Sequence, residues 1–388
     1  MDSFSMTAKR PFEAEHVLIV GAGASFNAGL PLASDFTDRL TDTKRLSLDG
    51  PSVAQVRYIK TFVKRVFAED IDIDAGSWPE IEDIFTLIDL SANTGHHLGK
   101  DYAPRDLRVV RRAILVRLIR MFEQSARKKR RNPDAKWSNL EDLFSRFCFE
   151  ECAVLSMNWD TVFEEGLLRT QGVESIEYGC NALSAKFCKD SLKETKRSGD
   201  TLHIVKPHGS VNWLYCDNCR ATFWVGGESS SKIARALFQP ADWDAIGVGP
   251  RGKRHVCIQP KCPYCSAKSL GTRFATFSYK KALDFPMFTA SWTTAEKRLA
   301  EATNWIFFGY SLPAADFEFK AMLKRIQLTE NIRPKITVIT GGDDAESTIT
   351  RYKNFFGHKA RERSYFKDGL DCGALAHLET LGVLQGGW

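Results

Sequence analysis

Residues 16–20, HVLIV, run directly into GAGAS at 21–25. Five aliphatic-rich positions without alternation describe a strand buried on both faces, as in a parallel sheet covered by helices. The glycines that follow let the chain turn sharply and approach another backbone or a ligand closely. A buried strand, a glycine turn and a helix-competent segment together open a doubly wound α/β domain. The pattern recurs. CAVLS at 152–156 leads into MNWD and the helical TVFEEGLL, TLHIV at 201–205 ends in KPHGS, TNWIFFGYSL precedes AADFEFKAMLKRI, and PKITVIT runs through GGDD into AESTITRYKNFF. Such repeats predict a Rossmann-like parallel sheet with its ligand loops at the carboxyl ends of the strands.

Two segments break the repeat. Residues 41–137 read as a helical insertion, with apolar residues at three- and four-residue steps in SVAQVRYIKTFVKRVF and WPEIEDIFTLIDLSA, closing in RRNPDAKW. Residues 213–275 carry paired cysteines and several glycines and read as a metal-binding insertion. The core is then expected from 12–40, 138–212 and 276–388. No window approaches the roughly 18 apolar residues of a membrane span, and the first residues lack a signal-like apolar run. The expectation is a cytoplasmic chain with no membrane contact.

The net charge of +6 is concentrated in 105–131, which holds eleven Arg and Lys residues against Asp106 and Glu123. This stripe could dock nucleic acid or an acidic partner. The simpler reading is a solvated helix face whose opposite side, with Val109, Ile114, Leu115, Leu118, Met121 and Phe122, is buried. The absence of interleaved aromatic residues favours the latter.

Five sets of residues carry chemistry. In VGAGASFNAGLP, Gly21, Ala22, Gly23 and Ser25 could meet a pyrophosphate at a helix start, with Gly29 and Pro31 closing the loop. Phe26 stands where a dinucleotide fingerprint has its third glycine. No acidic residue follows on a second strand to bind an adenine ribose, which argues against hydride transfer. Cys216-x-x-Cys219 and Cys262-x-x-Cys265, 42 residues apart, have the spacing of a closed four-thiolate structural zinc site, with Cys257 or His255 able to replace one ligand. Asn158 and Asp160 in SMNWD can point into a cleft from a strand end, or can simply make the turn and cap the next helix. His208 in PHGS stands at another strand end as a candidate general base. Gly309 and Ser311, with Thr340 in the matching place on the last strand, complete the set as phosphate-side candidates.

The succession GAG-x-S, G-x-P, Asn-x-Asp, His-Gly, two Cys-x-x-C knuckles and G-x-S resembles the sirtuins, NAD-consuming enzymes, over about 16–345. The resemblance implies a Rossmann-like domain with a small module of helical and zinc-binding inserts. It places Gly21, Ala22, Gly23 and Ser25 at the pyrophosphate and Asn158 and Asp160 at the nicotinamide and its ribose. His208 becomes the base, and Gly309 and Ser311 lie by the phosphates and adenine-side ribose. Protein-deacylating sirtuins continue G-x-P with Asp-Phe-Arg; here the chain reads GLPLASDF, and Met157 replaces the glutamine before the Asn. The Asn-aromatic-Asp form and HGSVNWL look instead like the sirtuin-like NAD+ hydrolases of bacterial anti-phage defence. The expectation is therefore NAD+ hydrolysis, with protein deacylation or a nucleotide-sensing subunit beside a partner ATPase as alternatives. Restraint by homo-oligomerisation or a partner, through 40–137, is expected as well.

Overall fold

Seven parallel strands carry the molecule's main sheet. The computed structural model describes residues 12–42, 50–67, 78–188, 191–196, 199–226, 230–248, 260–268, 270–272, 285–329, 334–357 and 363–386. In chain order the strands are β1 (His16–Val20), β2 (Cys152–Ser156), β3 (Ser175–Glu177), β4 (Leu183–Cys188), β5 (Ser191–Glu194), β6 (Thr201–Val205), β7 (Trp213–Cys216), β8 (Thr222–Val225), β9 (Leu270–Gly271), β10 (Asn304–Phe308), β11 (Lys335–Ile339) and β12 (Arg363–Phe366). The main sheet runs β12-β11-β10-β1-β2-β6-β3, with every pairing parallel.

The period-two geometry of a strand explains why β1 is apolar at every position from Val17 to Val20. Leu18 and Val20 enter one apolar cluster, and Val17 and Ile19 enter the cluster on the opposite face. Helices cover both. From β1 the chain adds β2, then the edge strand β3 and β6 between them on one side, and returns to β10, β11 and β12 on the other. The strand order therefore reverses at β1, and the carboxyl ends of the strands beside such a reversal are where open α/β sheets bind ligands.

The helical insertion forms Gly50–Phe67, Ile81–Thr94 and Pro104–Arg131. Pro104 starts the last of these without losing a bond that the first turn would make, and the Asp106 carboxylate accepts the Ala103 N–H at 3.1 Å. The middle of the basic stripe is engaged within the protein. Arg111 pairs with Asp89 at 2.8 Å. Arg112 grips Asp242 through Nε at 2.9 Å and Nη2 at 2.5 Å, and Arg117 is buried. Arg105, Lys128 and Arg131 stay exposed. The solvated-face reading thus holds for part of the helix only, because its middle arginines pair within the protein, and the nucleic-acid reading loses those same cations.

The second sheet, β5-β4-β8-β7-β9, corrects one boundary. Residues 183–194 were expected in the core segment 138–212, but β4 pairs in parallel with β8 and antiparallel with β5. The hairpin buries Ala185 and Leu192, so the short strands of the cysteine insertion gain an apolar face that they could not build alone. The helix Ser230–Leu237 packs on Pro104–Arg131, and with the Arg112–Asp242 pair this joins the two insertions into one module. No helix among the described residues is long and apolar enough to cross a membrane.

On β6, His203 stacks on Phe12 with ring centroids 3.6 Å apart. Burial, helped by the Arg298 guanidinium, lowers its pKa to about 4. Burial also lowers His16 and His377. All three are kept neutral by the fold, while in the unfolded chain they take up protons near pH 6.5. Their contribution is intact above pH 6.5 and is lost as pH falls through the window toward 4. The melting temperature is expected to drop between pH 6.5 and 4.5, and to drop less in His203→Phe, which keeps the stack. An equal drop in both proteins would show that His203 is not responsible.

Candidate active site and metal centre

The glycine loop after β1 lies against the loop after β10. A Cβ on Gly21 would come within 2.6 Å of Gly309 O and the Tyr310 Cα, and one on Gly23 within 2.9 Å of the Gly309 Cα. Gly21 N–H donates to Phe308 O at 3.0 Å, and Gly23 N–H to Gly309 O at 2.8 Å. Gly309 itself has φ 61°, the left-handed region that glycine enters freely. The glycines are thus required first by two loops crossing in contact. Pro31 is buried at the end of the first loop, Ser311 is exposed on the second, and Thr340 stands half-buried at the end of β11.

Asn158 ties the loop after β2 to the glycine loop. Its Nδ2 donates to Gly21 O at 2.8 Å and to the buried Ser25 hydroxyl at 2.9 Å. Both amide hydrogens are committed, so Oδ1 remains to accept. Asp160 behaves as the turn reading anticipates: its Oδ1 accepts the Val162 N–H at 3.0 Å in the first turn of the helix Val162–Gln171. Its backbone carbonyl accepts from Lys206 Nζ, which also pairs with Glu164 at 2.7 Å. Lys206 and Glu164 are both buried. Burial raises the Glu164 pKa against the pull of Lys206.

His208 follows β6 in a turn closed by Gly209 N–H to Lys206 O at 3.0 Å, with Gly209 at φ 79°. Its Nδ1 lies 3.3 Å from Met157 O. A carbonyl can only accept, so Nδ1 carries the hydrogen and Nε2 the lone pair in the neutral ring. Nε2 faces Asp316 Oδ1 at 4.0 Å, and the Trp292 ring stands 6.0 Å away. Asp316 Oδ2 accepts the Tyr310 hydroxyl at 2.7 Å. Asp316 was not singled out from the sequence although it lies in AADFEFKAMLKRI, directly after the Gly309–Ser311 loop, and neither was Lys206, whose charge in an apolar strand end was the available signal.

No protein-family model and no curated protein matches the chain. The chemistry is therefore read from the site itself: an imidazole of fixed tautomer, an amide acceptor and a buried carboxylate at the reversal point of a parallel sheet, suited to moving a proton from a water or a hydroxyl.

The two cysteine pairs form the same loop twice. Cys216 N–H donates to Ala221 O and Arg220 N–H to Cys216 O, at 3.0 and 2.8 Å; Cys262 N–H donates to Ala267 O and Ser266 N–H to Cys262 O, both at 3.0 Å. Arg220 and Ser266, each directly after the second cysteine, share φ values of 63° and 60°. The four sulfurs lie within 4.8 Å of one another, with the Cys216–Cys265 and Cys219–Cys262 pairs both at 3.6 Å. Tetrahedral thiolates about 2.3 Å from a zinc ion would be about 3.8 Å apart, so the cluster can hold such a metal. It supplies four ligands and leaves no open position. Cys257 and His255, the alternative ligands, lie outside the described residues.

Proposed function

We propose that this chain is an NAD+ hydrolase, cutting the nicotinamide–ribose bond with water to release nicotinamide and ADP-ribose. The observation that carries this reading is the convergence of the loops after β1, β2 and β6 at the reversal point, with Asn158 bonded to Gly21 O and His208 bonded to Met157 O. The dinucleotide lies with its pyrophosphate along Gly21–Ser25 and its adenosine side toward Gly309, Ser311 and Thr340. The carbon–nitrogen bond breaks, nicotinamide leaves with the bonding pair, and the ribose carbon becomes oxocarbenium-like. Asn158 Oδ1 helps to orient the ribose or water, the water oxygen adds to that carbon, and its proton passes to His208 Nε2 and then to solvent. Asp160 acts by shaping the loop.

A sirtuin-like architecture fits the parallel sheet with one module of helices and a four-cysteine cluster, which we assign to structural zinc. Deacylation has less support. The Val211 N–H donates to Trp159 O, and the Val225 N–H to Asn212 O, so backbone that would pair with a substrate peptide is engaged internally. NAD+ depletion in bacterial anti-phage defence, in the cytoplasm, is the role this activity suits. Restraint by oligomerisation or a partner through the helical insertion belongs to the same proposal.

The test is NAD+ turnover by wild type, Asn158→Ala and His208→Ala, with products separated chromatographically and NAD+ measured in expressing cells. Wild type is expected to yield nicotinamide and ADP-ribose without any peptide, and both variants to lose about 100-fold or more. NAD+ left intact in both settings, or variants equal to wild type, would overturn the reading.

A further inference from the structure

Thr161, directly after Asp160, and Asn212, four residues after His208, line one small cavity, and the helix Val162–Gln171, β3 and β8 complete its wall. Its volume of about 10 Å³ is that of a single water-sized guest. The carboxylate, amide and hydroxyl groups of the wall all present oxygen. Glu164 Oε1 accepts from Lys206 at 2.7 Å, while its Oε2 is buried without a hydrogen-bond partner. The Asn212 amide nitrogen donates to the Tyr178 hydroxyl at 3.2 Å, and its Oδ1 is likewise buried without a partner. Thr161 gives its only hydroxyl hydrogen to Glu165 Oε1 at 2.8 Å, so it has only lone pairs left to offer. Glu164 and Asn212 are 2% and 4% exposed, and acceptors buried to this degree are rarely left unmet.

The charges around the cavity do not balance. Asp160 acts on both Glu164 and Glu165, which makes three carboxylates. Against them stand Lys206 on Glu164 and Arg130, 3.4 Å from Glu165. Glu123, which also acts on Glu165, is matched by Arg127 at 2.9 Å. One negative charge is left over. Burial raises the pKa of Glu164 and of Glu165, as it does for carboxylates whose charge is incompletely compensated.

An all-oxygen wall selects a hard cation. Calcium needs more oxygens than this wall offers, and magnesium keeps waters for which there is no room. Either would also carry one charge too many. A water molecule would satisfy the two oxygens and leave the charge unmet. We propose that the cavity binds one dehydrated monovalent cation of potassium's size, held by Glu164 Oε2, Asn212 Oδ1 and the Thr161 and Glu165 oxygens. These oxygens take the place of the ion's hydration shell. Glu165, with its side chain 33% exposed, marks the side from which the ion enters. Once bound, the ion ties the helix that follows Asp160 to the loop that follows His208. The site is independent of the hydrolase reading.

The experiment measures the melting temperature of wild type, Asn212→Leu and Asn212→Asp in potassium chloride and in choline chloride. Choline is too large to enter, and equal ionic strength cancels the screening of surface charges. Crystals of wild type grown with rubidium chloride supply anomalous diffraction. Wild type is expected to melt about 3 °C or more higher in saturating potassium, and rubidium to give a peak in the cavity. Asn212→Leu should lose the potassium effect. Asn212→Asp, which adds a charged ligand, should reach it at about tenfold lower potassium. Equal wild-type melting temperatures in the two salts overturn the proposal, as does an undiminished potassium effect in Asn212→Leu. So does cavity density without rubidium signal, which identifies a water, or an Asn212 amide turned with its nitrogen on Glu164. If neither variant folds, the wild-type melting curves and the rubidium map decide.

Discussion

Purified protein is expected to carry one zinc ion per chain by metal analysis, and Cys262→Ser or a strong chelator is expected to remove it and lower the melting temperature by about 10 °C or more. The size follows from what the cluster ties together. Cys216 ends β7, which pairs with both β8 and β9, and Cys262 is buried while its loop runs back toward β9. Without a cation, burial holds the Cys262 thiol up at about 12, while a hydrogen bond from Asn218 brings Cys265 down to about 6. A divalent metal removes that conflict by taking all four as thiolates. It also offsets the left-handed backbone at Arg220 and Ser266. Trp213 and Trp224 sit opposite each other on β7 and β8 and are buried, so their near-ultraviolet circular dichroism should fade in the metal-free protein. A protein with less than about 0.1 zinc per chain and an unchanged melting curve would refute the assignment.

How much of this was written in the sequence depends on the range of the contact involved. HVLIV and GAGAS were legible as a strand and a sharp passage into a helix, here the short Ala22–Phe26, because burial pattern and glycine are local signals. The cysteine knuckles were readable for the same reason, being two short loops with one spacing. The strand pair at 183–194 was not, since its place beside β8 depends on partners 40 residues away. In the basic helix, charge alone could not reveal that Arg112 meets Asp242, 130 residues further on. Asn158 and His208 were singled out by residue type at strand ends, and the parallel pairing of β2 with β6 brings both loops to the same end of the sheet. Asp160 shows the converse: the same type and spacing served the turn. Asp316 escaped because its significance lies in the 4.0 Å separation from His208, which no spacing encodes.

Lys206→Met is expected to destabilise the fold by about 3–5 kcal/mol, since it leaves a buried carboxylate without its cation. The Lys206 and Glu164 side chains are 0% and 3% exposed and 2.7 Å apart. Removing the ammonium also frees the Asp160 carbonyl that it holds, loosening the loop that carries Asn158. Lys206→Met with Glu164→Leu should recover most of the stability, because an apolar pair of similar volume has no charge to desolvate. The pH dependence separates this cause from simple loss of packing. Burial already raises the Glu164 pKa against the opposing pull of Lys206. Without the lysine the folded-state pKa rises further above the unfolded value, so the penalty is largest at high pH and shrinks as pH falls and the carboxyl takes a proton. Urea unfolding of wild type, single and double variants at two pH values measures this directly. A single-variant penalty that does not change with pH, or a double variant as unstable as the single, would mean that Lys206 contributes through its packing and its bond to Asp160, with no essential part played by the charge of Glu164.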